Sequence, residues 1–180
     1  MRLLEREAAL GELERAWRAA GPGRVALISG EAGVGKSALV GQFVGEKSAA
    51  ERSTAEQSAA GRRGVVLWGA CDALFTPRPL GPLYDMAAGA PALAAALANH
   101  TDRAAVFAAV LDTLRARPTI AVFEDVHWAD EATLDLLRYL GRRITQTRAL
   151  LVATYRDDEL GPGHPLRAVL GDLVSPAVLR

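Results

Sequence analysis

Gly30-Glu31-Ala32-Gly33-Val34-Gly35-Lys36-Ser37 is the stretch on which the fold turns. Its glycine spacing, closed by a lysine and a hydroxyl residue, is that of a loop whose backbone N–H groups wrap phosphate oxygens. Just before it, Val25-Ala26-Leu27-Ile28 is a short apolar run bounded by turn residues, which suits a strand buried in a parallel sheet. Just after it, residues 37–44 read as a helix, so a helix N-terminus adds its positive dipole to the loop. Strand, loop and helix fall in the order that phosphate binding needs, which argues against a glycine-rich turn that binds nothing. Gly30, Glu31, Ala32, Gly33, Val34, Gly35 and Ala38 are expected to line the cradle. Lys36 would meet the terminal phosphates as a point charge, and Ser37 would offer its hydroxyl to a magnesium ion.

A second, acidic element is needed at the end of another buried strand, and Thr119-Ile120-Ala121-Val122-Phe123-Glu124-Asp125 supplies it. By position Glu124 is the magnesium-side carboxylate, acting through water, and Asp125 orients the water that attacks the terminal phosphate. Adjacent side chains on an extended strand point apart, so an exchange of the two roles stays open. In the same loop Asp130 is placed to cap the next helix, while His127 either senses phosphate or packs. Leu150-Leu151-Val152-Ala153-Thr154-Tyr155-Arg156 ends a further strand with polar groups, making Thr154 and Arg156 candidate sensors. Arg156 precedes Asp157, Asp158 and Glu159, so a simple exposed ion pair is an equal reading of it. Asn99-His100-Thr101-Asp102 fits a guanine-reading pattern only loosely and lacks the lysine, which excludes a GTPase reading. Arg142-Arg143 read as cations at a helix C-terminus and not as an arginine finger.

Working outward, residues 3–17 carry Leu3, Leu10, Leu13 and Trp17 mostly at helical spacing, which predicts an amphipathic first helix. Residues 46–63 contain no large apolar side chain and are expected to form an exposed helical extension or insert. Residues 65–68 read as a second strand. Thr101 looks like the N-cap of a helix running to about Arg117, where Pro118 stops it. Helices over residues 131–143 and 166–174 alternate with strands over 119–123 and 150–153. This alternation predicts an α/β fold, a parallel sheet covered on both faces.

Composition bounds the partners. Acidic and basic residues balance at 21 each over 180 residues, so no global positive charge exists to hold nucleic acid or an anionic membrane. The lone Cys71, in an apolar run, reads as a buried small side chain in a reducing compartment. Met1-Arg2-Leu3-Leu4-Glu5-Arg6-Glu7 is charged where an export signal would be apolar, and no apolar run approaches the length of a membrane span. A cytoplasmic protein is expected.

Assembled, these residues resemble the AAA-type ATPase domain of STAND signalling ATPases, as at the N-terminus of large LuxR-type bacterial transcriptional regulators. The likeness rests on Leu4-Glu5-Arg6-Glu7, the phosphate loop, Pro79-Leu80-Gly81-Pro82-Leu83, the segment Glu124-Asp125-Val126-His127-Trp128-Ala129-Asp130 and Thr154-Tyr155-Arg156-Asp157-Asp158. It implies a three-layer P-loop NTPase fold with sheet order 5-1-4-3-2, ATP or ADP with Mg2+ as ligand, and slow hydrolysis used as a conformational switch. It also implies that the N-terminal helix helps to enclose the adenine and that Arg156 contacts the terminal phosphate. Glu5-Arg6-Glu7 stands where the family often has Gly-Arg-Glu, and Glu124-Asp125 has the longer acid first, so binding is expected more firmly than turnover. The chain stops about where a fifth strand would begin, so that strand is expected to be short or absent. The lid, sensor and DNA-binding modules of the family have no room after it, so a fragment or truncated product is expected. The expected function is an ATP-binding switch module with slow or conditional hydrolysis. The rival is a nucleotide-dependent interaction platform that binds without turnover. Partners would be a protein or a second copy docking on the side a lid would cover, with no direct DNA contact by this segment.

Overall fold

A computed structural model describes residues 3–18, 22–54, 64–74, 76–99, 102–173 and 178–179. The chain runs α1 (Leu3–Arg18), β1 (Arg24–Ser29), α2 (Lys36–Thr54), β2 (Val65–Ala70), α3 (Gly81–Met86), α4 (Pro91–Ala98), α5 (Arg103–Ala116), β3 (Thr119–Glu124), α6 (Glu131–Gly141), β4 (Ala149–Tyr155), α7 (Pro165–Leu173) and β5 (Val178–Leu179). Every strand pairing is parallel, in the order β2-β3-β4-β1-β5, which is the expected 5-1-4-3-2 read from the other edge. The fifth strand is a two-residue piece on β1, with Val178 opposite Val25 and Leu179 opposite Ala26.

Two apolar faces explain why the central strands lack the polar alternation of a half-exposed sheet. Val25, Leu27, Ala121, Phe123, Leu151 and Ala153 turn to one face, where α3 to α7 cover them. Ala26, Ile120, Val122, Leu150 and Val152 turn to the other, where Leu13 and Ala16 of α1 and Leu39, Val40 and Phe43 of α2 close the layer. Each valine, leucine, isoleucine or phenylalanine among them, fully buried, contributes about 1.5–3 kcal/mol relative to exposure. The three-layer α/β architecture is thereby established.

The helix ends follow local chemistry. Asp102, not Thr101, is the N-cap of α5: its carboxylate accepts the Ala105 N–H at 2.8 Å, and aspartate serves that position at least as well as threonine. Thr101 itself lies outside the described residues. Arg117 is extended before Pro118, as the proline ring demands, so α5 ends one residue earlier than expected. Helix α6 stops at Gly141, two residues short of the expected end, and Arg143 folds back over the Tyr139 ring at 4.0 Å. Residues 46–54 continue α2 as helix, while 55–63 lie outside the described residues. Within that continuation Lys47 is buried and paired with Glu14 of α1, so the expected exposed insert is packed at that residue. Among the described residues no helix is long and apolar enough to cross a membrane.

Candidate nucleotide site

The glycine-rich loop leaves the carboxyl end of β1 and turns directly into α2, whose first residue is Lys36. Gly33 and Gly35 hold φ at +72° and +96°, a region that side chains disfavour, and these turns bend the loop back on itself. Lys36 is only 8% exposed; its Nζ donates to the carbonyls of Gly30 at 2.6 Å and Glu31 at 2.9 Å. A buried ammonium needs acceptors, and the loop supplies two neutral ones. Phosphate oxygens would be stronger partners for the same charge. Ser37 and Ala38 stand exposed in the first turn of α2, where helix N–H groups have no intrahelical acceptor. Arg6 of α1 donates to the Ala38 carbonyl at 3.1 Å, which pins the start of the first helix beside the loop.

Glu124 closes β3 on the same face as Ile120 and Val122, the face covered by α2. The Trp68 indole N–H, from neighbouring β2, donates to Glu124 Oε2 at 2.7 Å. Oε1 is buried with no hydrogen-bond partner among the described residues. A buried carboxylate oxygen without a donor suits a hydrated magnesium ion, so the residues present fit the metal. Among the described residues no three His, Cys, Asp or Glu side chains converge as a metal centre. A magnesium ion would therefore take much of its shell from phosphate and water. Asp125 does not continue the strand. Its backbone is left-handed, φ 52° and ψ 45°, and its N–H donates to the Thr154 hydroxyl at 3.0 Å.

These elements can be set beside known proteins. The family model of the AAA ATPase domain matches residues 2–153. The chain belongs to that family. No curated protein matches it in sequence. In fold this AAA ATPase domain is similar to the Aeropyrum pernix ORC1 protein, solved in complex with DNA. The TM-score is 0.63 at 21% identity, over 97% of this chain and 44% of that one. It is also similar to the Aeropyrum pernix ORC2 protein, solved as ADPNP–ADP complexes, with a TM-score of 0.59 at 18% identity over 96% and 46% of the two chains. The domain spans less than half the length of either protein.

The AAA domain gathers its remaining polar groups past the ends of β3 and β4. Thr154 is fully buried, and its hydroxyl serves the Asp125 backbone. Arg156 pairs with Glu159 and lies over the Trp128 ring at 4.9 Å, so the ion-pair reading describes its contacts in this structure. That hydrogen bond holds the Glu159 carboxyl below its ordinary range and raises the Arg156 guanidinium. His127 is buried against Trp128, the two rings tilted at 42° with centres 4.5 Å apart; neither ring nitrogen has a hydrogen-bond partner among the described residues. Burial pushes its pKa down against the opposing pull of Asp125 and Glu159.

Asp130 caps α6 through the Thr133 N–H at 3.1 Å and also accepts the Leu80 N–H at 3.2 Å. It thus joins the Pro79–Leu83 and His127–Asp130 segments, which the sequence shows only as separate stretches. Trp68 and Glu159 were not among the expected site residues. An acid three places after Arg156 was a visible signal for Glu159. No local pattern points to Trp68, because its neighbour across the sheet depends on strand order.

Proposed function

We propose that this AAA domain is an ATP-binding switch with slow or conditional hydrolysis, acting in the cytoplasm as the nucleotide-binding part of a LuxR-type regulator. The observation that carries the reading is the Lys36 ammonium, buried beneath the glycine-rich loop and satisfied, among the described residues, by two carbonyls of that loop. In this reading Lys36 exchanges those carbonyls for phosphate oxygens, and the N–H groups of the loop and of the first turn of α2 take the rest. Ser37 and Glu124 hold the metal side, Glu124 through water and through the oxygen that Trp68 leaves free. When bound, magnesium would neutralise charge on the terminal phosphates. Asp125 orients the attacking water, its backbone anchored by Thr154. Arg156 meets the terminal phosphate. The segment His127-Trp128-Ala129-Asp130 supports the regulator assignment, and the balanced charge supports DNA contact by some other part.

Asp125→Asn tests the hydrolytic role. ATP turnover should fall by about a hundred-fold or more, the usual size of a lost general base, while ATP affinity stays within about two-fold. Unchanged turnover would remove Asp125 from the mechanism. A wild-type chain that binds ATP and never turns it over would favour the non-hydrolysing platform.

A further inference from the structure

We propose that Glu159 limits the preference for ATP over ADP, by occupying Arg156 until a terminal phosphate competes for it. The proposal rests on the ATP-binding reading above. One carboxylate gathers three groups here. Its Oε1 pairs with Arg156, while its Oε2 accepts the Trp128 indole N–H at 3.2 Å and lies 3.5 Å from His127 Nε2. The imidazole in turn reaches Asp125, with Nδ1 at 4.0 Å from Oδ1. The cluster is therefore continuous with the residue assigned to the attacking water.

The register of the sheet brings this cluster to the cradle. Ser29 lies opposite Tyr155 in the β1–β4 ladder, so Arg156 leaves its strand abreast of Gly30, the first residue of the phosphate loop. The charges of Arg156 and of Lys36 both act on His127, so both lie within electrostatic reach of one imidazole.

Arg156 and Glu159 are each partly exposed, and pairs of that kind bias an equilibrium by no more than about five-fold. A γ-phosphate brings more charge and more acceptor oxygens, and a planar guanidinium can take two of them at once. ADP ends one phosphate short and leaves the pair intact. Glu159 and the γ-phosphate are thus rival anions for a single cation, and the weakness of the pair lets the phosphate win.

The test is equilibrium binding of Mg-ATP and Mg-ADP to the 180-residue chain, compared with Glu159→Gln, Arg156→Ala and the double variant. Glu159→Gln should tighten ATP by about three- to five-fold and leave ADP nearly unchanged, because it frees Arg156 for the phosphate. Arg156→Ala should weaken ATP alone, and in that background Glu159→Gln should have no further effect on ATP. If Glu159→Gln changes neither nucleotide, tightens both equally, or keeps its effect without Arg156, the inference falls while ATP binding stands. If the folded wild-type chain binds neither nucleotide, the inference and the reading beneath it fall together.

Discussion

Cys71 follows β2 directly, with its backbone N–H on the Glu124 carbonyl at 2.9 Å and its thiol buried. Burial first, then the carboxylates of Asp130, Asp125, Asp72 and Asp85, push the thiol from 9.0 up to about 12. The folded chain holds this proton where the unfolded chain gives it up. The thiol therefore costs no stability below the unfolded pKa, and stability is lost progressively as pH rises from there towards the folded value. Alkylation of the folded chain near pH 8 should run roughly a thousand-fold slower than that of the urea-unfolded chain; comparable rates would mean an accessible thiolate. The sequence context already marks Cys71 as buried, because its neighbours are apolar. The position of Lys36 at the end of the loop is written in the loop pattern, whereas its burial is not. Asp125 was legible as an acid at a strand end, but its left-handed backbone was not, since it depends on Thr154 from a strand 29 residues later in the chain.

At the scale of elements, apolar runs and turn residues placed all four long strands, with ends that moved by one or two residues, while α2 runs on to Thr54, well past the expected Val44. What no single segment reveals is how loops are joined to one another. Asp130 is the clearest case: it stops being only a cap once Leu80, left-handed at φ 59°, is seen to donate to it. Asp130→Ala should lose the cap and the loop contact together, about 2 kcal/mol of unfolding free energy by urea denaturation. Asp130→Asn, which keeps an acceptor oxygen, should restore the larger part. Equal losses for both variants would mean that the negative charge, and not the hydrogen bonds, is what matters.

Across the whole molecule, the sheet order brings the cradle of β1, the polar end of β4 and the acidic end of β3 side by side, which gathers three separate motifs into one candidate site. That order was an expectation of the family resemblance, and no single motif reveals it. The central claim is that the site binds ATP through the buried lysine. The most direct test is equilibrium binding of Mg-ATP and Mg-ADP to the folded chain, with Lys36→Ala beside it under the same conditions. Both nucleotides should bind saturably, and the substitution should weaken them by about ten- to a hundred-fold, as when a charged hydrogen-bond partner is lost. Binding that Lys36→Ala leaves unchanged, or a folded chain that binds neither nucleotide, would contradict that claim.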